Sequence, residues 1–378
     1  MAPALSRRGR VHLATRTLLY DRLRLAISLA GIGFAVFLLL LLRGIMDGTI
    51  ARSTTYVDHV GADLFVAGPG VTNMLLATSA VPAGAAGAMA TADGVSEAAA
   101  IMRFPVIITS GERSRPATAI GYGAGELGGP WRLTAGRPTT GPGETVLDAA
   151  LADELGAGVG DTVSVGGRSF TISGLSDETA AIAGKVVFLD RAVLQSLAGA
   201  EDTVNFVLVR VAPGAPTTAV AADLRARFPG LSVLTREDLS RSDRGMLSDL
   251  FISPINVMST AGFLVGLAIV GLTMYTTTAE RLRDFGVLKA IGASDGYLLR
   301  IVVTEAVVLG AVGFVLGYGV ARLSGPLISA AVPDIGVTVT AVNAARGFLA
   351  MMAMCLVAAA VPVARAMRVD PLLVFRRA

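Results

Sequence analysis

Apolar residues gather into four long runs along this chain, one near its start and three near its end. Leu25 to Leu42 is interrupted only by Ser28. As a helix rising about 1.5 Å per residue, this run spans about 27 Å, enough for the hydrocarbon core of a bilayer. The next comparable run begins at Pro254, and two more follow from Ile301 and Gly347, predicting helices over 254–278, 297–325 and 347–364. The pattern predicts an integral membrane α-helical protein with four transmembrane helices, the first over 25–43. Between the first and second lies a long interval, 44–250, whose apolar residues come in short clusters punctuated by glycine and proline. Such punctuation predicts a large mixed α/β domain outside the lipid.

Within that domain, 63–67 and Pro105 to Thr109 read as strands, and a Gly/Ala-rich stretch covers 82–92. Glu144 to Asp148 reads as a strand running into a short helix over Ala149 to Leu155. Two strand-like segments, 162–165 and 169–173, flank Gly166 and Gly167, a hairpin signal. Phe206 to Val211, a helical 217–228 and 231–234 predict a β-α-β unit, with Pro229 and Gly230 stopping the helix.

Charge orients the spans. Arg7, Arg8, Arg10, Arg16, Arg22 and Arg24 precede the first run. Glu280, Arg281, Arg283, Asp284, Lys289 and Arg300 lie between the second and third, and Arg365, Arg368, Arg376 and Arg377 follow the fourth. The segment 326–346 is almost uncharged. Basic residues mark cytoplasmic flanks. The prediction is therefore a multi-pass protein of the bacterial inner (plasma) membrane with both termini cytoplasmic. It comprises an amphipathic segment over 1–24, an extracytoplasmic α/β domain over 44–250, a cytoplasmic loop over 279–296, an external loop over 326–346 and a tail over 365–378. A cleaved signal peptide is the alternative for the first run. Against it, the run is longer than such a peptide's apolar region, and residues 43–47 offer no small-residue cleavage site.

Composition agrees, with 53% hydrophobic and 16% charged residues and a mean hydropathy of +0.65. The net charge of +3 is too small to suggest a nucleic-acid partner. One cysteine, Cys355, excludes an intrachain disulfide framework. With only His12 and His59 beside it, no zinc cluster of ordinary spacing can form, and no metal site is expected. No catalytic constellation emerges either: Asp148, Asp153 and Glu154 read as solvated, and His59 beside Asp58 and Asp63 reads as a surface histidine rather than a ligand-binding one. Glu305, one turn into the third span, is a candidate functional acid. Its nearness to the cytoplasmic end and to Arg300 favours a structural role. Gly262 with Gly266, and Gly313 with Gly317, have helix-packing spacing that fits either intrachain contact or dimerisation.

The most informative segment is Thr278 to Gly319. Leu282, Phe285 and Leu288/Lys289 recur at helical spacing while Arg281, Arg283 and Asp284 are polar, predicting a short amphipathic helix over 279–290. Gly292, Ala293 and Ser294 then turn the chain back toward the membrane, with Ser294 or Asp295 capping the third span. Such a helix suits docking onto a soluble partner. An interfacial re-entry loop is the simpler alternative.

This segment resembles the signature of the FtsX/MacB superfamily of ABC permeases, a pattern of the form E-R-x-x-[DE]-[FI]-G-x-L-K-A-I-G-A-S. It stands here as Glu280, Arg281, Asp284, Phe285, Gly286, Leu288, Lys289, Ala290, Ile291, Gly292, Ala293 and Ser294. Glu305 falls where that family often has an acid, and 362–371 and 14–22 look like its closing and opening segments. The length and Gly61-Ala62-Asp63-Leu64 are similar to its DevC and HrtB-like subgroup. The resemblance implies an ATPase-coupling role for Glu280, Arg281, Asp284, Phe285, Gly286, Leu288, Lys289, Gly292, Ala293 and Ser294. It also implies a permease homodimer in the lipid bilayer with two copies of a cytoplasmic ABC ATPase. ATP and Mg would be bound by that partner, with no cofactor on this chain and room for a membrane-fusion or other extracytoplasmic partner. The implied function is export of a hydrophobic or amphipathic substrate by ATP-driven mechanotransmission. The alternative is an FtsX-like mechanotransmitter that regulates an extracytoplasmic cell-wall hydrolase without transporting anything. A phosphate-binding P-loop needs Gly-Lys followed by Ser or Thr. Lys185 precedes Val186 and Lys289 follows Leu288, so neither fits and the chain is expected not to be an enzyme.

Overall fold

A computed structural model describes residues 22–139, 141–177, 179, 185–331 and 336–367. Most of the N-terminal amphipathic segment and most of the C-terminal tail lie outside the described residues, as does 332–335 of the external loop. The chain divides into two units, one built from its two flanks up to Asp47 and from Phe251 onward, the other spanning Gly48–Leu250. Helix α1 (Arg22–Ser53) continues past the apolar run.

The central unit opens with α2 (Thr55–His59) and β1 (Leu64–Ala67). After them come β2 (Val81–Pro82), α3 (Ala85–Ala90), β3 (Val95–Ser110), β4 (Arg113–Tyr122), β5 (Leu133–Gly136) and β6 (Glu144–Asp148). Then come α4 (Ala149–Leu155), β7 (Thr162–Val165), β8 (Arg168–Ser176), β9 (Lys185–Asp190), α5 (Arg191–Ala198) and β10 (Thr203–Val204). The unit closes with β11 (Phe206–Val211), α6 (Thr217–Arg227) and β12 (Ser232–Thr235).

Strand β3 joins two lobes. Its first half pairs with β11 and its second half with β4 and β7. The sheet path runs β12-β1-β11-β3-β4-β9-β6-β8-β5. One lobe packs α3 and α6 on the first strands around Leu64, Met89, Val207 and Leu224. The other packs α4 and α5 around Ile108, Leu151, Phe170 and Leu194. A third cluster, with Phe65, Ile101, Phe188 and Phe206, fills the reverse face. Because β1 is buried at every position, it needs partners on both edges. It therefore inserts between β11 and β12, antiparallel to both, and splits the predicted β-α-β unit. The helix Ala149–Leu155 and the Gly166–Gly167 hairpin stand where the sequence predicts them.

The membrane unit contains α7 (Arg236–Glu280), whose first turns belong to the central unit, then α8 (Leu282–Ala290), α9 (Asp295–Ala331) and α10 (Ala341–Met367). Among the described residues, four helices, α1, α7, α9 and α10, are long and apolar enough to cross a membrane. They pack around Ile32 and Val36 of α1, Met274 of α7, Val302 and Leu309 of α9, and Met354 and Cys355 of α10. Two glycines set the α1–α9 approach. A Cβ on Gly313 would meet Ile32 Cβ at 2.9 Å, and one on Gly317 would meet Val36 Cβ at 2.7 Å and press on the Gly33 carbonyl oxygen. These small residues serve packing within the chain. A Cβ on Gly266 would likewise meet Met354 Sδ at 2.9 Å, whereas one on Gly262 would meet nothing within 4 Å among the described residues.

Candidate functional site

The helical path of α7 ends at Glu280, and Arg281 (φ −96, ψ 6) redirects the chain into α8. Phe285 is 5% exposed and joins the membrane core with Leu288 packed beside it. Gly286 is buried on the same side. The opposite face carries Arg283, Asp284 and Val287 into solvent, and Ile291 beyond the helix end is 77% exposed. Spacing explains the split: positions three and four apart share one helical face, so 285 and 288 face inward while 283/284, 287 and 291 face outward.

The helix closes tightly. Ile291 N–H donates to Val287 O at 3.1 Å, Gly292 N–H to Lys289 O at 3.0 Å and Ala293 N–H to Leu288 O at 2.9 Å. Gly292 takes φ +96, which a residue with a Cβ resists, so this stop is a glycine position. Ser294 O then accepts from Tyr297 and Leu298 N–H, opening α9. The Lys289 ammonium holds both neighbours, lying 2.8 Å from Asp295 Oδ1 and donating to Met367 O at 2.6 Å. The latter contact ties α8 to α10.

Arg281, rather than Arg300, pairs with Glu305, at 3.4 Å with side chains 20% and 8% exposed. Arg300 stands five residues before Glu305 and so points about 140° away around the helix. The break at Arg281 turns its guanidinium toward the third span instead. Of the ten predicted coupling residues, Phe285, Gly286, Leu288 and Lys289 thus anchor α8 from within. Glu280, Asp284, Gly292 and Ser294 are exposed, while Arg281 and Ala293 are half-buried. Val287 and Ile291, both outward and apolar, were missed as site residues. Their signal lay in the same 3–4 spacing, read on the opposite face.

Several acids of the central unit serve structural roles. Asp58 accepts from Ser240 Oγ at 2.7 Å, Thr54 Oγ1 at 2.8 Å and Arg244 at 2.9 Å. Burial pushes its carboxyl up, but these donors outweigh burial and hold it below the ordinary range. Asp63 pairs with Arg236 at 2.8 Å and accepts from Val211 N–H at 2.9 Å. The His59 ring lies 5.6 Å from that of Trp131, stacked, with Nδ1 2.9 Å from Thr55 O. Asp148 caps α4 through Ala150 N–H, and burial raises its carboxyl pKa. Glu154 pairs with Lys185 and Arg115, whose bonds lower its pKa, and Asp153 is exposed. Among the described residues, no three His, Cys, Asp or Glu side chains converge as a metal site would require.

Comparison with known proteins fits this layout. Residues 25–227, more than half of the chain, match the model of the MacB-like periplasmic core domain, and residues 256–371 match that of the FtsX-like permease C-terminal region. The chain belongs to the FtsX/MacB family of ABC transporter permeases. A Mycobacterium bovis protein described as an uncharacterized ABC transporter permease is 29% identical over 370 residues, covering 96% of this chain and 98% of the relative. The macrolide export ATP-binding/permease protein MacB of Rhodopseudomonas palustris is 25% identical over 247 residues, covering 62% of this chain and 37% of that protein. Among solved structures, the periplasmic region of MacB from Actinobacillus actinomycetemcomitans aligns with 49% of this chain and 94% of its own, at 12% identity and a TM-score of 0.39. As an FtsX/MacB-type permease the chain is a membrane protein, and its α/β unit between the first and second membrane helices is the periplasmic-type domain of that family.

Proposed function

We propose that this chain is the membrane-spanning subunit of an ABC transporter whose ATP is hydrolysed by a separate cytoplasmic subunit docked on α8. The observation that carries this reading is the two-sided build of α8. Phe285 is anchored in the membrane core, while Val287 (43% exposed) and Ile291 (77% exposed) stand outward beside Arg283 and Asp284. An apolar pair with a polar rim is the composition of a protein contact. The lack of a Gly-Lys-Ser/Thr sequence agrees with the energy source lying on a partner. In this reading two permease copies bind two ATPases, and Mg and ATP sit in the partner. Tying α8 to α9 and α10 through Lys289, and to α9 again through Arg281 and Glu305, gives ATPase motion a short route into the membrane helices. The function so served is export of a hydrophobic or amphipathic substrate.

Affinity purification of the full chain from native membranes in mild detergent tests this directly. A near-stoichiometric soluble protein carrying a P-loop is the expected companion, and its absence even after cross-linking would overturn the reading. ATP turnover that apolar compounds leave unchanged, but that alters an extracytoplasmic hydrolase, would favour the FtsX-like mechanotransmitter instead. Orientation has its own test. A reporter inserted at Gly158 is expected outside and one fused after Ala378 inside; the reverse pattern would overturn the topology.

A further inference from the structure

Between β1 and β2 the chain makes a loop, 68–80, that is pinned by side chains from elsewhere in the central unit. At its ends, Ser79 Oγ accepts from Gly68 N–H at 2.8 Å and donates to Asn205 O at 2.5 Å, and Asn205 Nδ2 donates back to Ser79 O at 2.9 Å. In its middle, Asn73 Oδ1 accepts from Leu76 and Ala77 N–H at 3.2 and 3.0 Å. The tie of most consequence is Asp243 of α7. Its side chain belongs to a residue only 1% exposed, and Oδ1 accepts from Met74 N–H at 2.8 Å and Leu75 N–H at 3.3 Å. The Arg103 guanidinium donates to Met74 O from the other side. Thus both polar groups of the Met74 backbone are held, one by an acid and one by a base.

The loop from Leu75 to Ala80 forms one wall of a cleft of about 530 Å³, and Phe104 and Pro105 of β3 and Val204 of β10 belong to its remaining walls. That volume falls in the range of small-molecule sites, which are mostly apolar with a few placed polar groups. The polar groups here include Asn205, Thr118 and Thr203. Among the described residues, Arg103 is the one ionisable residue lining the cleft, and its charge is already engaged by Met74 O and attracted by Asp243. The cleft therefore offers no uncompensated charge. An anion would find a cation already committed, and a second cation would be repelled and desolvated without a partner.

We propose that this cleft binds an uncharged, largely apolar small molecule, and that the loop 68–80, fastened to α7 by Asp243, is the wall that holds its shape. The site is internal to the central unit and holds whether or not α8 docks an ATPase.

The test uses the full chain in lipid nanodiscs. Cys355→Ala removes the native thiol, and near-isosteric Thr118→Cys or Thr203→Cys places one thiol in the cleft. Ser169→Cys, exposed on β8, serves as the outside control. N-ethylmaleimide reports the modification rate, and N-phenyl-1-naphthylamine is the neutral apolar probe. The probe is expected to slow modification of both cleft cysteines about fivefold when present at several times its dissociation constant, leaving Ser169→Cys unaffected. The anionic analogue 8-anilinonaphthalene-1-sulfonate is expected to give no such protection. Adding Asp243→Ala is expected to raise the unprotected rate about tenfold and to remove the protection, because the loop loses a charge-assisted acceptor. Asn73→Ala frees the same loop from another point and is expected to act in the same direction. Equal rates with and without the neutral probe at both cysteines would overturn the site. Equal protection by the anionic analogue would overturn the ligand class. Undiminished protection in both Asp243→Ala and Asn73→Ala would overturn the role of the loop.

Discussion

A chain carrying Val287→Asp together with Ile291→Asp is expected to lose its ATPase partner while folding normally in the membrane. Both side chains are exposed and apolar, at 43% and 77%, so neither contributes to the packed core. In a docked interface each would be buried, and truncating a central contact costs about 2 kcal/mol or more. Two such losses, with two carboxylates to desolvate, predict binding weaker by at least about a thousandfold. The measurement is the affinity of the purified ATPase for nanodisc-held permease, alongside the permease's own thermal transition. Phe285→Asp should behave oppositely, lowering the thermal transition first, because Phe285 is 5% exposed within the membrane core. Gly286→Pro has the same defect as a probe of docking: Gly286 is buried, and a proline in mid-helix costs about 3 kcal/mol of folding.

Gly317→Leu is expected to disrupt the membrane unit itself. Even the first carbon of the new side chain would meet Val36 Cβ at 2.7 Å and press on the Gly33 carbonyl oxygen, which belongs to a backbone that cannot swing aside. Overpacking of a tight core costs about 1–3 kcal/mol or more, and here a helix–helix crossing has to open. The expected readout is a large fall in monodisperse yield and thermal stability in detergent. Gly319→Leu and Gly262→Leu are the controls, since among the described residues nothing lies within 4 Å of a Cβ at either position. Both should leave the fold of the single chain intact. A Gly262→Leu chain that folds but no longer self-associates would assign that open position to contact between permease copies.

The membrane helices were legible because lipid demands long uninterrupted apolar runs, and the runs beginning at Leu25, Pro254, Ile301 and Gly347 have few competing explanations. The polar stretch Arg236–Asp249 hid the fact that α7 begins well before its apolar part. Strand β4 was hidden in another way. It starts Arg113, Ser114, Arg115, Pro116, all exposed, and is a strand because β3 and β9 pair with it rather than because of any alternation of its own. The amphipathic character of α8 was readable from spacing. Which face met the membrane was not, since Phe285 and Val287 are both apolar and only tertiary contact separates them. Partner choice was equally out of reach: Arg281 and Glu305 are distant in sequence, while Arg300 looked closer. Asp243, one acid among many charged residues on a polar helix, carried no sequence signal of its tie to Met74.

In the proposed assembly α8 presents Val287 and Ile291 to a separate ATPase. A photoreactive benzoyl-phenylalanine placed at 291 in one chain and at 285 in another, irradiated in native membranes, tests it most directly. Covalent capture of a P-loop protein from position 291, with none from the buried position 285, is the expected result. Capture from 285 as readily as from 291, or no P-loop protein from 291 at all, would contradict it.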